Sequence, residues 1–374
     1  MSVKCLLVSF FNSNNVGDLL ISAAINEELT KSGLKVIKCS YEGSFDIRGS
    51  LQSSIVRPLY TFGGFFQRVV LRIKLLSFWH RYRAELAKVD IVIMGGGNMI
   101  MDLLPNTRAA AHFRKYIVLA KKADVKVIAW SIGVGPFQTE EQASDAISAL
   151  EMCDYVTLRD GRSYALVAGA SKDNIFLAVD PVFMMSRQIK KEVSMPPIVG
   201  VGVIEPLLFG YTQERRDKVI HGYIELIAKL LKEDKRVVLF STECADYSVA
   251  EALVKQFSNS AVSISHIDSA DHLLEFYGSL SFLISARMHS LIVAFTQGVP
   301  FYALVWQEKV HGMLDLIGKA EFSACIDQLP GKVEAIIDCM RNSVVHHDAS
   351  SDDKLVQIRS QYSINQKLLR RVIG

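Results

Sequence analysis

A chain of 374 residues, half of them hydrophobic and 22% charged, is long enough for two globular domains with a core in each. The net charge of +3 is too small to argue for a nucleic-acid partner. The six cysteines (Cys5, Cys39, Cys153, Cys244, Cys325 and Cys339) form no C-x-x-C pair and no zinc-ligand spacing, so reduced thiols and no metal site are expected. No uncharged apolar run approaches the length of a membrane span. The short apolar start runs into the polar stretch 12–18 and not into a cleavage site. A soluble, cytoplasmic protein is the expectation.

Residues 4–10 read as a first strand, 12–18 as a polar turn carrying Asn15, Gly17 and Asp18, and 19–29 as a helix. Asp18 suits a helix N-cap as well as a ligand contact. A second strand covers 35–39. From 48 to 83 there is no acidic residue. Arg48, Arg57, Arg68, Arg72, Lys74, Arg81 and Arg83 there contribute +7 and leave −4 on the rest. Phe62, Phe65, Phe66, Phe78, Trp79 and Tyr82 accompany them. Such a segment fits an anionic membrane surface or a lipid-linked partner. On a helical wheel its basic residues fall in two sectors, which equally fits a partly buried helix with solvated Arg heads.

An apolar run over 90–94 leads into Gly95, Gly96, Gly97 and Asn98. A helix is expected over 108–122, and a strand over 125–130 ends in Gly133 and Gly135. Glycines after strands let a backbone approach a ligand closely. A helix over 140–151 precedes a strand over 155–158 that ends at Arg159-Asp160. A helix over 161–168 and a strand over 176–179 then lead to Asp180-Pro181. In a doubly wound sheet all these strand ends open on one side. The stretch 186–197, ending in Pro196-Pro197, reads as a linker. It divides an N-terminal domain (1–190) from a C-terminal domain (197–374) whose last helices are expected to pack back on the first.

Beyond the linker, strands are expected over 198–204, 236–240, 262–264, 282–284 and 301–305, and helices over 214–231, 247–256, 271–277 and 288–297. Two Rossmann-like α/β domains facing a cleft is the natural architecture. Within it, residues 281–300 stand out. Arg287 and His289 fall between a strand and a helix that Gly298 and Pro300 stop. A helix N-terminus attracts anions, Arg adds a planar fork, and His adds a proton donor active near neutral pH.

The ordered set of Asn15-Val-Gly17-Asp18, Gly95-Gly96-Gly97, Ile132-Gly133-Val-Gly135-Pro136, Leu158-Arg159-Asp160 with Ser163, Asp180-Pro181-Val-Phe183, Arg287-Met-His289 with Gly298-Val-Pro300, and Lys309 after Glu308 resembles the polysaccharide pyruvyl transferases. The resemblance covers most of the chain. It implies a fold similar to the GT-B glycosyltransferases and transfer of the enolpyruvyl unit of phosphoenolpyruvate onto a sugar as a ketal, with release of phosphate. Phosphoenolpyruvate is then the donor substrate and no cofactor is needed. The partners are a glycan acceptor, lipid-linked or a repeat-unit precursor, a membrane surface met through 48–83, and a second copy of the chain.

On that resemblance His289 is the general acid at the methylene carbon. Arg287 and Arg159 hold carboxylate and phosphate, and Lys309 is a lesser phosphate contact. Asn15, Gly17, Asp18, Gly95, Gly96, Gly97, Asn98, Gly133, Gly135 and Asp180 line the substrate. One stretch departs from the family. Residues 202–206 (Gly-Val-Ile-Glu-Pro) carry no Arg where the family often has a polar or Arg-containing segment. A nucleotide-sugar glycosyltransferase on the same architecture and an inactive scaffold of an envelope-polysaccharide complex are the competing readings.

Overall fold

The structure, a computed structural model, describes residues 2–47, 65–167, 173–186, 196–342 and 349–374. Strands and helices alternate and build two parallel six-stranded sheets. The first holds β1 (Lys4–Ser9), β2 (Lys35–Ser40), β3 (Ile91–Gly95), β4 (Lys126–Ile132), β5 (Tyr155–Leu158) and β6 (Ile175–Leu177), in the order β2-β1-β3-β4-β5-β6. The second holds β7 (Ile198–Gly202), β8 (Arg236–Phe240), β9 (Val262–Ile264), β10 (Phe282–Ser285), β11 (Phe301–Val305) and β12 (Ser323–Cys325), in the order β12-β11-β10-β7-β8-β9. β3 and β10 are buried at every residue. Their unbroken apolar runs reflect helices on both faces of each sheet.

Those helices are α1 (Val16–Lys31), α2 (Phe65–Leu86), α3 (Ala109–Lys122), α4 (Glu140–Leu150) and α5 (Gly161–Val167) around the first sheet. Around the second lie α6 (Gln213–Lys232), α7 (Tyr247–Phe257), α8 (Ala270–Gly278), α9 (Met288–Gln297), α10 (Glu308–Ile317) and α11 (Val333–Arg341), before the closing α12 (Ala349–Ile373). Helix α1 begins three residues before its apolar pattern, because the Asn15 side chain caps it by accepting from the Gly17 N–H. Asp180 likewise caps a 3-10 turn, Pro181–Met184, so the chain leaves β6 at Leu177. Helix α9 stops at Gly298, whose φ of 72° is the left-handed conformation a helix C-terminus favours.

In each sheet the strand order reverses once, between β1 and β3 and between β7 and β10. Ligands of open α/β sheets bind beyond the carboxyl ends of the strands at such reversals. The segments that follow these four strands are 10–15, 96–98, 203–205 and 286–287, so both Asn15 and Arg287 stand at a reversal.

One hydrophobic core serves both sheets. Leu7, Ile93 and Trp130 of the first and Leu283 and Ala303 of the second share it with Leu20 and Ile25 of α1, Leu291 and Phe295 of α9, and Ile358 and Tyr362 of α12. Helix α12 is bound to the first sheet by buried polar contacts. The Trp130 indole donates to the Tyr362 hydroxyl at 2.8 Å, and Asn365 donates to Ser131 Oγ at 3.0 Å and accepts from Thr157 Oγ1 at 2.6 Å. These contacts sit at a bulge in β4, where the register with β5 shifts between Ala129 and Ile132. A bulge bends its strand, and this one precedes Gly133.

Of the basic segment, Arg48 and Arg57 lie outside the described residues, as does most of the linker, 187–195. Within α2, residues 72–77 are all exposed, whereas Phe78, Trp79, Tyr82 and Leu86 are buried. Of the part from 72 on, the helix packs from Phe78 onward. Among the described residues no helix is long and apolar enough to cross a membrane.

Candidate active site

Arg287 occupies the N-cap position of α9 with extended backbone, which places His289 in the first turn. The His289 ring reaches from the second half of the molecule into the first. A Cβ on Gly17 would lie 2.0 Å from His289 Nδ1, so only glycine fits at that point of α1. His289 Nε2 is 3.5 Å from Asp180 Oδ2, too long for a well-formed hydrogen bond. It has no other hydrogen-bond partner among the described residues.

Asp180 is buried and heavily engaged. Oδ1 accepts from the Val182 N–H at 3.0 Å, and Oδ2 accepts from Arg159 Nη1 at 3.0 Å. Burial alone raises its pKa, but His289, Arg159 and the Val182 N–H outweigh it and hold the carboxyl down at about 2. Arg159, at the end of β5, donates from Nη2 to Asn98 Oδ1 at 2.6 Å. A Cβ at Gly133 would fall 2.2 Å from that oxygen and 3.0 Å from Arg159 Nε. Gly133 thus leaves room for the Asn98–Arg159 pair. The adjacent Asp160 caps α5 through the Ser163 N–H and lies 3.6 Å from Arg159 Nε, so it also serves the helix start.

Arg287 is equally committed. Its guanidinium donates from Nε to the fully buried Asp246 at 3.0 Å and pairs again through Nη2. The Asp246 carboxylate is held in turn by Ser241 Oγ at 2.7 Å and by the Glu205 N–H at 2.9 Å. Phe209 lies under the guanidinium, 5.1 Å from ring centroid to Cζ, and packs on Trp306 at 4.0 Å. The segment without an Arg therefore braces Arg287, with Glu205 fixed by a two-bond pair to Arg216 at 2.8 and 2.9 Å.

Lys309, in the first turn of α10, differs from both arginines. No carboxylate lies within ion-pair distance of it among the described residues, and its ammonium stands 6.0 Å from the Trp306 ring centroid. Burial, then Arg159, Arg287 and Arg162, push its pKa down to about 8, with Asp18 opposing.

The two halves also meet along their loops. Val16 N–H donates to the Thr242 carbonyl at 2.8 Å, and Asn15 Nδ2 donates to Glu243 Oε2 at 2.9 Å. Burial raises the Glu243 carboxyl, and Asp246 and Asp18 add to this against Arg287 and the Asn15 contact, for a pKa of about 7.

The structure thus brings together Asn15, Gly17, Asp18, Asn98, Gly133, Arg159, Asp180, Arg287, His289 and Lys309. Gly97 approaches Phe10 and stands 3.4 Å, by a built Cβ, from Asp18 Oδ1. Gly95 and Gly96 instead face Ile25 and Ile21 of α1, and Gly135 faces Leu166. These three glycines let helices pack close to the strands. Glu243 and Asp246 escape the sequence reading, where 241–246 is merely a loop. The signal available was two acids, three and six residues beyond a strand, in the half that also carries Arg287.

The sequence model of one family, described as "Polysaccharide pyruvyl transferase", matches residues 15–308. No curated protein matches the chain. Solved structures share its fold at low identity. UDP-GlcNAc 2-epimerase from Neisseria meningitidis bound to UDP-GlcNAc is 12% identical with a TM-score of 0.58, covering 99% of each chain. Sucrose-phosphate synthase from Thermosynechococcus elongatus is 10% identical with a TM-score of 0.57, again covering 99% of each. A glycosyltransferase from Rickettsia africae is 13% identical with a TM-score of 0.57, covering 99% of this chain and 98% of its own. The two sheets are accordingly two Rossmann-like domains in the GT-B arrangement.

Proposed function

The chain belongs to the polysaccharide pyruvyl transferase family, a membership that implies a glycan acceptor, and on that premise we propose that it transfers pyruvate from phosphoenolpyruvate as a ketal onto a sugar. The observation that carries this reading is His289 reaching across to Gly17, with an ammonium, Lys309, near Arg159 and Arg287 that has no carboxylate within ion-pair distance among the described residues.

Phosphoenolpyruvate has a carboxylate, a phosphate and an electron-rich methylene. His289 in its protonated form gives a proton to the methylene carbon, C3. C2 becomes oxocarbenium-like and takes an acceptor hydroxyl. A second hydroxyl then displaces phosphate and closes the ketal. A positioned acid supplies roughly 10²–10⁴-fold to such a step. Lys309 receives the phosphate. Arg159 and Arg287, each neutralised by a buried aspartate, present rigid edges to the donor and set the field around Lys309. Asp180, 3.5 Å from His289 Nε2, orients the ring.

The acceptor is proposed to be lipid-linked, with the protein lying at a membrane face. The exposed Arg72, Ile73, Lys74, Leu75 and Leu76 of α2 support this, since basic and apolar side chains together suit an anionic bilayer surface. Co-sedimentation with phosphatidylserine vesicles is expected for the native protein and not for a Leu75→Glu, Leu76→Glu variant. Equal recovery of both removes the membrane from the account.

The reaction is tested by phosphate release from phosphoenolpyruvate with a panel of p-nitrophenyl hexopyranosides. Release should depend on the sugar and should fall about 100-fold or more in His289→Ala with the fold intact. Full activity in that variant removes His289 from the role. Preferential binding of nucleotide-sugars over phosphoenolpyruvate removes the reaction.

A further inference from the structure

Addition of an acceptor hydroxyl to C2 leaves a proton to be removed. We infer that Glu243 is the base that accepts the proton of the attacking acceptor hydroxyl. This rests on the pyruvyl-transfer reading.

Glu243 lies in the loop after β8, and this loop is bound to the opposite half of the molecule. Besides the Val16–Thr242 bond, the Cys244 N–H donates to the Asn14 carbonyl at 3.4 Å, and the Glu243 N–H is held by Ser241 Oγ at 3.1 Å. Asn15 cannot turn its amide over, because its Oδ1 already caps α1 at the Gly17 N–H, 2.8 Å away. Its Nδ2 must therefore face Glu243 Oε2. One carboxyl oxygen is anchored, and the other, Oε1, has no hydrogen-bond partner among the described residues. The turn that anchors Glu243 at Asn15 meets the His289 ring at Gly17, two residues on. A donor of protons and an acceptor of protons thus flank one short turn at the β1/β3 reversal.

The charged groups that face Glu243 are Asp18 from α1, Asp246 from its own loop and Arg287 from the start of α9. The two acids and burial raise its pKa against Arg287, and the resulting value of about 7 leaves a carboxylate on a large fraction of molecules at neutral pH. The step balances. The hydroxyl O–H bond breaks as the O–C2 bond forms, and its proton goes to Glu243 Oε1. The C2=C3 electron pair takes the proton of His289. The second hydroxyl loses its proton to the departing phosphate, and water returns Glu243 and His289 to their starting states.

Glu243→Gln is the discriminating variant, because a glutamine oxygen can still accept from Asn15 and keep the two loops joined. Phosphate release from phosphoenolpyruvate is measured with the p-nitrophenyl hexopyranoside panel across the neutral pH range. The native kcat should rise with pH through about 7. The Gln variant should lose that limb and about 100-fold in kcat, with phosphoenolpyruvate affinity unchanged. A Gln variant as fast as the native enzyme overturns the base role alone. A native enzyme that releases no phosphate with any sugar overturns the transfer reading and the base role together. A carbon-13 NMR titration of glutamate carboxyls gives a readout free of turnover. One resonance should titrate near 7 and be missing from Glu243→Gln; if the missing resonance titrates in the ordinary carboxylate range, the inference fails.

Discussion

Lys309 and the two arginines divide the work of a cationic site differently from what their chemistry alone suggests. The planar fork of Arg is the better carboxylate and phosphate ligand, and the motifs point to Arg159 and Arg287 first. Each fork is engaged in part from within, Arg159 by Asp180 and Asn98 and Arg287 by Asp246. Removing either aspartate would leave a buried guanidinium uncompensated at about 3–5 kcal/mol, so these pairs are framework. Lys309 has no such carboxylate among the described residues, and its proposed part in meeting the donor is testable through its titration near 8. Its pKa lies below the ordinary lysine value, so the ammonium is complete at pH 6 to 7 and is lost as pH rises through about 8. Calorimetric affinity for phosphoenolpyruvate should be flat up to about pH 7 and then weaken. Lys309→Gln should bind about 10–100-fold more weakly, the worth of one charge-assisted hydrogen bond, and without that descent. Affinity independent of both pH and Lys309 contradicts the assignment. Gly17→Ala is the complementary test on His289. The new methyl must displace the ring, and a misplacement of this size costs about 10²-fold in turnover. The variant should still bind the donor through Lys309.

At the level of elements, what positions the site is a set of short connections and one long-range strap. The strands and most helices are legible in the sequence, because buried parallel strands are unbroken apolar runs and the helices carry caps such as Asn15 and Gly298. The turn with Arg287 and His289 is legible for the same reason. The 241–246 loop is not. Its partners are Asn15, 228 positions away, and Arg287, 41 positions away, and nothing in a local window of sequence reports such pairings. The glycine runs mislead in a related way. Gly95 and Gly96 look like a ligand cradle, yet they admit Ile25 and Ile21 of α1. Only the packed structure separates glycines that receive a helix from Gly17 and Gly133, which receive functional side chains. Helix α12 is the strap, and Asn365 is its buried polar anchor. Asn365→Leu leaves Ser131 Oγ without its donor, at about 1–3 kcal/mol, and Thr157 Oγ1 with only Ser131 N–H and the Ala129 carbonyl. A thermal melt should show a drop of several degrees, with donor affinity retained; an unchanged melt removes α12 from the support of the β4 bulge.

Across the whole molecule, the site forms where two sheets each reverse their strand order and turn those reversals toward one another. The sequence reading puts a linker over 186–197 between two domains that face a cleft. In the structure the halves already share a core through α1, α9 and α12, and His289 already rests against Gly17. The proposed acid is therefore already in place, which would limit the rearrangement needed at the chemical step. The same GT-B architecture serves sugar-nucleotide proteins, so fold cannot decide the reaction. The decision lies with the carbon that changes. Carbon-13 NMR of the protein incubated with phosphoenolpyruvate labelled at C2 and the hexopyranoside panel follows that carbon directly. The account predicts that the olefinic signal gives way, in step with phosphate release and only when a sugar is present, to a quaternary ketal carbon. An olefinic signal that persists with every sugar while a nucleotide-sugar is consumed would contradict it.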